Sequence, residues 1–474
     1  MIDSIAFRKY AHDFVDWMAD YLENIEDLPV KSAVRPGEIY SKIPETPPQK
    51  GEPMQEIFKD FRQIILPGMT HWQSPNYFAY FTANSSYPSV LAEMLTATMA
   101  AQCMVWETSP AAAELEERVM HWLRDMTGLP EIFEGVIQDT ASTATLVAFL
   151  TARERISRYR INEDGFTGKQ IFRIYCSSEA HSSIEKAVKI AGFGRNNLVK
   201  IETDNALAIR PDKLREAVEQ DLSNGLTPLC VVAALGTTGT AAIDPLKPLA
   251  DLCRKYSIWL HVDAAYAGTA LLLPEMRSMI EGIEDVDSFV FNPHKWMFTN
   301  FDCSAYFVKD TEALIRTFEI LPEYLKTGTR GQVNDYRDWG IQLGRRFRAL
   351  KLWFVIRDYG IDGLRGKVRN HIQWAGELAE EIRNNPGFEL YEPQNLGVVC
   401  FRYKPDHESD REKLNLLNDR LMKTLNQSGK IYLTHTKVDG LVTLRIVVGQ
   451  TNVTREHVRN AWQMVKQYAG EIAL

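Results

Sequence analysis

The sequence predicts an α/β fold: a large domain built on a mainly parallel sheet, a smaller α+β domain after it and a helical arm before it. Three observations carry this reading. Between residues 135 and 310, short apolar runs bounded by Gly, Ser, Asp or Thr alternate with helical segments. Ahead of them lie helices and prolines that can hardly bury their apolar faces alone. From residue 353 onward, helices and strands mix. The expected divisions are 1–85 for the arm, 86–352 for the large domain and 353–474 for the small one.

Composition sets outer limits. With 474 residues, 45% hydrophobic and 24% charged, the chain is an ordinary globular protein with room for more than one domain. The net charge of −8 comes without a basic run, so neither nucleic acid nor an anionic membrane is an expected partner. No apolar stretch is long enough to span a bilayer. The opening Met1-Ile2-Asp3-Ser4 lacks a charged-then-apolar leader, so a cytoplasmic protein without a signal peptide is expected. Cys103, Cys176, Cys230, Cys253, Cys303 and Cys400 form no CxxC pair, which fits free thiols in a reducing compartment. The histidines show no HxxxH spacing, so no metal site is expected.

The elements follow in order. Phe7, Tyr10, Phe14, Met18 and Tyr21 recur at steps of three and four, the mark of a helix with one apolar face. Val34 to Pro48 is proline-rich and reads as an extended arm, and a second helix runs from Met54 to Ile65. Such an arm needs another domain or another subunit to cover it. His71 to Phe81 is dense in aromatics; a core-lining loop and a substrate wall explain it equally well. Ser109-Pro110 opens a helix to Met126, with serine as N-cap, proline at the first position and early glutamates. Strands are expected at 135–137, 171–175, 230–235, 258–262 and 288–291. The stretch 322–339 is polar, holds Gly328 and Gly331, and reads as a lid. A helix over 345–359, strands at 398–401 and 441–446 and a last helix over 454–473 complete the chain.

Chemistry gathers at the strand ends, where α/β sheets bind ligands. The first strand runs into Gln138-Asp139-Thr140-Ala141-Ser142-Thr143 and then an apolar helix. Backbone N–H groups and hydroxyls at a helix start make a phosphate cradle, although capping by Thr140 or Ser142 explains the same residues. The second ends near His181, which alone is more often structural than ligand-facing. The third leads into Gly236-Thr237-Thr238-Gly239. The fourth delivers Asp263 among apolar neighbours, where an ionised carboxylate needs a cationic partner. The fifth delivers Asn292-Pro293-His294-Lys295-Trp296. A lysine at a strand end commonly snorkels to water. Here an aspartate precedes it on the adjacent strand. That order fits pyridoxal phosphate: a lysine for the Schiff base, an aspartate to keep the pyridine nitrogen protonated, a helix start for the phosphate.

At these residues the chain resembles the aromatic-L-amino-acid decarboxylases, group II pyridoxal-phosphate decarboxylases of the aspartate-aminotransferase fold type. The resemblance rests on Asn292-Pro293-His294-Lys295-Trp296, His261-Val262-Asp263-Ala264-Ala265-Tyr266-Ala267-Gly268 and Phe301-Asp302-Cys303-Ser304. It extends through His71-Trp72, Ser85-Ser86-Tyr87-Pro88, Ala180-His181-Ser182-Ser183, Asp335-Tyr336-Arg337 and Leu343-Gly344-Arg345-Arg346-Phe347-Arg348. It implies a seven-stranded sheet with helices on both faces and a homodimer that exchanges N-terminal helices and shares its active sites. It implies that Lys295 holds the cofactor, Asp263 pairs with the pyridine nitrogen and His181 stacks on the ring. Thr140, Ala141, Ser142 and Asn292 would hold the phosphate, with His294 beside them and Thr238 close to the ring. Tyr324 matches the loop tyrosine that protonates the substrate carbon. Trp72, Tyr80, Phe81, Ala83, Gln102, Met104 and Gly344 match substrate-pocket positions. Ala83, Gln102 and Met104 depart from the animal enzymes, which have threonine and larger apolar groups there. The implied activity is that of a carboxy-lyase acting on DOPA, 5-hydroxytryptophan, tryptophan, tyrosine or phenylalanine. Relatives that make aldehydes with oxygen often carry phenylalanine for the tyrosine or asparagine for the histidine, so Tyr324 and His181 favour simple decarboxylation. An oxygen-dependent aldehyde synthase and a non-catalytic dimeric scaffold are the alternatives.

Overall fold

The computed structural model describes residues 2–168, 170–320 and 331–472. Seven strands build the sheet of the larger of two compact units, which comprises residues 83–373 and 392–398. They are β1 (Glu134–Gln138), β2 (Phe172–Ser177), β3 (Leu198–Ile201), β4 (Thr227–Ala234), β5 (Trp259–Asp263), β6 (Ser288–Phe291) and β7 (Ser304–Val308). Their spatial order is β1-β7-β6-β5-β4-β2-β3. β7 alone is reversed, antiparallel to both β1 and β6. The pairs β6–β5, β5–β4, β4–β2 and β2–β3 are parallel. The mainly parallel α/β sheet is therefore as expected, with β3 and β7 added to the five strands read from the sequence.

The sequence dictates this layering. Cys230, Val231, Val232 and Ala233 are fully buried, the unbroken apolar run of a strand covered on both faces. The helix Ala141–Ser157 buries Ala144, Thr145, Val147, Ala148, Phe149, Thr151 and Ala152, nearly its whole circumference. Small residues let it lie close across β4, β5 and β6. Burying Phe149 there contributes roughly 2 kcal/mol. With most strands parallel, the carboxyl ends of β1, β2, β4, β5 and β6 open on the same edge of the sheet.

The smaller unit comprises residues 1–82, 374–391 and 399–474. Its sheet holds β8 (Phe388–Leu390), β9 (Val398–Tyr403), β10 (Thr434–Val438) and β11 (Leu441–Val447), ordered β10-β11-β9-β8. β10 and β11 form a hairpin closed by Asp439-Gly440, both at positive φ, as a two-residue primed turn requires. The helices Arg411–Gln427 and Arg455–Ile472 supply Leu421, Leu425, Trp462 and Val465 to its core. The helix Ser4–Glu23 has no buried residue, and its Phe14 and Trp17 meet Phe58 and Phe61.

Several local expectations differ from the structure. The proline-rich arm contains a one-turn helix, Glu38–Lys42, entered through Gly37 at φ 87°. Ser109 precedes the helix Pro110–Thr127, but its hydroxyl donates to the carbonyl of Gln102 instead of capping. The helix expected to stop at Tyr359 breaks at Gly360 and resumes to Arg383, and the two units divide within it at 373/374. Of the expected lid, Tyr336–Trp339 is a buried turn, because Tyr336 and Trp339 join the core of the large unit. Among the described residues, no helix is long and apolar enough to cross a membrane.

Candidate active site

At the carboxyl end of β1 the chain turns through Asp139 into the helix Ala141–Ser157. Thr140 caps that helix, its Oγ1 accepting the Thr143 N–H. The Asp139 carboxylate accepts the Thr140 N–H at 2.5 Å and a Gln342 amide N–H at 2.9 Å. Capping thus occupies Thr140 while leaving the first backbone N–H groups of the helix, at Ala141 and Ser142, for an anion. Ser304, at the start of β7, bridges this turn to β6. Its hydroxyl lies 3.2 Å from the Asp139 carbonyl and 2.7 Å from Asn292 Oδ1. With Oδ1 engaged, Asn292 keeps its Nδ2 donors for a ligand. Sequence reasoning missed Ser304 as a site residue; its only signal was its place in the Phe301–Ser304 motif.

β5 and β6 are parallel neighbours, with Asp263 opposite Val290. Asp263 is partly buried, and its Oδ1 accepts the Ala265 N–H at 3.1 Å. The turn after it packs tightly on β6: a Cβ added at Gly268 would fall 2.9 Å from Cγ of Phe291. Past β6, the single turn Pro293–Trp296 carries Lys295. Burial lowers the proton affinity of Lys295, and the Asp263 carboxylate opposes that. Asn84 donates through its side chain to the Lys295 carbonyl and through its backbone to that of His294. The ring of Trp296 stacks on Tyr266 at 4.4 Å and 9°. The Asp263 turn and the Lys295 turn are thereby fastened together.

His181 follows β2. Its Nδ1 accepts the Ser183 N–H at 3.2 Å, so a neutral ring carries its proton on Nε2. Burial pulls its titration down, Asp263 raises it and Lys295 lowers it further, which places all three groups in one electrostatic neighbourhood. His294 Nδ1 accepts the Cys303 N–H at 2.9 Å, and burial and then Lys295 depress its titration to about 3. Both imidazoles are neutral at physiological pH. Thr238, beyond β4, is exposed in a loop that Gly236 enters at φ 83°. His261, by contrast, is a core histidine held by Ser288 at 2.9 Å.

The expected substrate positions fall into two groups. In the large unit, Gln102 Oε1 accepts the Arg345 N–H at 2.7 Å, its Nε2 lies 3.3 Å from where a Gly344 Cβ would stand, and the Met104 carbonyl accepts the Arg337 N–H. Ala83 begins that unit, beside Asn84. In the small unit, Trp72 stacks on Tyr77 at 4.6 Å and on Tyr80 at 6.0 Å, and the Arg445 guanidinium lies 5.7 Å over Phe81. Tyr324 lies outside the described residues. Among the described residues no cluster of His, Cys, Asp and Glu is placed to hold a metal ion.

The donor set fits one cofactor. Helix-start N–H groups and an oriented amide suit a phosphate, a carboxylate suits a protonated ring nitrogen, and a buried amine of lowered proton affinity suits an aldehyde carbon. Residues 36–404 match the pyridoxal-dependent decarboxylase conserved domain. The chain belongs to this family. Pyridoxal phosphate is its cofactor, and the chain is a decarboxylase-family enzyme. A phenylacetaldehyde synthase of Arabidopsis thaliana is 42% identical over 99% of this chain and 96% of its own length. A tyrosine decarboxylase 2 of Narcissus pseudonarcissus is 41% identical over 99% and 95%. A crystal structure of Oryza sativa TDC with PLP and tryptamine superposes with a TM-score of 0.96 at 36% identity, covering 99% of both chains. Within the family, the chain sits among the aromatic amino acid decarboxylases and aldehyde synthases.

Proposed function

We propose that the enzyme removes the carboxylate of an aromatic L-amino acid, releasing the arylalkylamine and carbon dioxide. The observation that carries this is the grouping of Lys295, Asp263 and His181 at the ends of β6, β5 and β2, beside the Ala141 helix start. Bound pyridoxal phosphate supplies an electron sink for the breaking Cα–carboxylate bond. Lys295 would hold it through its amine. Asp263 would keep a proton on the pyridine nitrogen, while Asn292 and the N–H groups of Ala141 and Ser142 would hold the phosphate. Thr238 and His294 would flank it. The neutral His181 ring, with its proton on Nε2, is suited to steady the substrate carboxylate and then to share in protonating Cα with Tyr324. Gln102, Met104, Gly344, Trp72, Tyr80, Phe81 and Ala83 would face the substrate.

The working form in this reading is a cytoplasmic homodimer with active sites at the subunit interface. Its support is the unburied arm helix, with Ile5 80% and Phe7 59% exposed, and six free buried cysteines. The test is a panel of L-DOPA, 5-hydroxytryptophan, tryptophan, tyrosine and phenylalanine, scored for amine, carbon dioxide and oxygen uptake. Amine equal to carbon dioxide without oxygen uptake is the expected result. The similarity to a phenylacetaldehyde synthase favours one other reading, an aldehyde-forming oxidase. Oxygen consumed in step with carbon dioxide would establish that instead.

A further inference from the structure

The motif Leu343–Arg348 contributes three arginines, and the first does something the reaction chemistry does not explain. Arg345 and Glu116 form a two-point ion pair, Nη1 to Oε2 at 3.1 Å and Nη2 to Oε1 at 2.5 Å. Both are buried, at 6% and 2% exposure. Burying such a pair stabilises little by itself, because desolvation offsets the attraction. What marks it is a third group. The Ile137 N–H donates to Glu116 Oε1 at 2.9 Å, and Arg345 Nη2 donates to the Ile137 carbonyl at 2.9 Å. The backbone N–H and C=O of one residue, Ile137, are thus held by an acceptor and a donor.

Ile137 lies on β1, which sits at the edge of the seven-stranded sheet and, among the described residues, pairs with β7 alone. An edge strand leaves alternate backbone groups without a neighbour. Glu116, from the helix Pro110–Thr127, and Arg345 supply what a further strand would supply, acceptor for N–H and donor for C=O. The residues just beyond Ile137 are Gln138, Asp139 and Thr140, the turn that starts the helix at Ala141. Arg345 is itself held: its N–H donates to Gln102 Oε1, its carbonyl accepts the Cys103 N–H, and its guanidinium lies 5.0 Å over Tyr336. The grip therefore ties β1 to two other stretches of the large unit at the point where the phosphate turn begins.

We propose that the Glu116–Arg345 pair is a positioning element for the cofactor phosphate: it replaces the missing strand beside β1 and fixes where the Thr140–Ser142 turn presents its N–H groups. This rests on the assignment of the phosphate to that turn. Neither residue is among those assigned to hold the cofactor, so the expected effect is on the phosphate and not on the ring.

The test compares pyridoxal phosphate with pyridoxal, which lacks the phosphate. Full-length protein stripped of cofactor is titrated with each, and binding is read from the absorbance of the attached cofactor. The variants are Arg345→Lys, which keeps the charge but not the fork, and the double replacement Glu116→Leu with Arg345→Met, which leaves no unpaired buried charge. Melting curves confirm that each is folded. The wild-type preference for pyridoxal phosphate over pyridoxal is expected to fall about tenfold or more in both variants, the loss for one charge-assisted hydrogen bond, with pyridoxal affinity changed less than about threefold. If the variants are folded and keep the wild-type preference, the pair is merely structural and the proposal is overturned. If the wild type shows no preference for the phosphorylated form, the phosphate assignment itself fails and the proposal falls with it.

Discussion

Replacing Gly268 by alanine tests whether the spacing between the Asp263 turn and the Lys295 turn sets the catalytic rate. Gly268 closes the turn after β5, and Phe291 is the last residue of β6, four residues before Lys295. An added Cβ would stand 2.9 Å from Phe291 Cγ and 3.4 Å from the Ala264 Cβ, with Phe291 Cβ nearer still. Carbon atoms rest about 3.5–4.0 Å apart, so one element must retreat by roughly 1 Å. Phe291 is fully buried and cannot swing into water, so the turn carrying Asp263 and Tyr266 takes up the shift. Overpacking of this kind costs about 1–3 kcal/mol, and each kcal/mol lowers the melting temperature of a protein this large by roughly 1–2 °C. A misplacement of about 1 Å at a reacting centre costs on the order of a hundredfold in rate. The expected outcome is a melting point roughly 1–5 °C lower and a kcat/KM about a hundredfold lower in protein that still binds cofactor. Gly376→Ala, inside the helix that ends at Arg383 and where an added Cβ meets nothing within 4 Å, is the control and should leave kcat/KM unchanged without lowering the melting point. Wild-type kcat/KM in a destabilised Gly268→Ala protein would refute the spacing argument; wild-type stability would refute the packing argument beneath it.

Three other outcomes follow from the same residues. Lys295→Ala should give a colourless protein whose activity falls by more than about a thousandfold, while the wild type is yellow and bleached by borohydride; a yellow Lys295→Ala protein that borohydride bleaches would place the attachment elsewhere. Tyr324→Phe should release aldehyde and peroxide in place of much of the amine; product that remains purely amine, with no oxygen uptake, would remove Tyr324 from the protonation step. Asp244 is buried and accepts the Ala234 and Ile209 N–H groups at 2.7 Å each, and burial raises its titration to about 7. A carboxyl group with a raised folded-state pKa stabilises fully below its unfolded value and loses that contribution as pH climbs through about 7. The stability of Asp244→Asn relative to wild type should therefore improve between pH 4 and 8; a constant difference in melting temperature across that window would contradict the assignment.

What the sequence disclosed and what it concealed divide along physical lines. β1, β2, β4, β5 and β6 were legible because each is a buried apolar run ended by a polar turn, and the chemistry sits in those turns. β3, Leu198-Val199-Lys200-Ile201, was not, since only its last residue is buried and edge strands carry a weak apolar signal. β7 follows the Lys295 turn closely, and nothing local in Ser304-Ala305-Tyr306-Phe307-Val308 encodes its reversed direction. Residues 336–339 were read as lid from their polar flanks, yet Tyr336 and Trp339 pull that turn into the core. Glu116 looked like a helix-start charge, whereas its function comes from Arg345, 229 residues away. Ser304 joins Asp139 to Asn292 across an equally nonlocal gap. Residue types announced the cofactor; long-range partners that aim those residues had no local signature.

Electrostatics explains why these residues act together. Burial depresses the titration of His181, Lys295 and His294, so the protein resists placing positive charge there. Asp263 is the opposing group for both His181 and Lys295. An isolated carboxylate in that setting is costly, and a protonated pyridine ring would answer it better than either neighbour, since burial disfavours charge on the imidazole and the proposed role commits the lysine to covalent attachment. A phosphate at the Ala141 helix start adds negative charge where backbone N–H groups, not side-chain cations, receive it. In the proposed function the chain would thus separate two electrostatic tasks, one carboxylate for the ring and one helix terminus for the phosphate. The His181 imidazole, which that function sets beside substrate and ring, would stay free of charge, with a proton on Nε2 to lend. A substitution that charges this position permanently, His181→Arg, should for that reason cost more activity than the neutral His181→Gln, and equal losses in the two would show that the neutrality of this position is incidental.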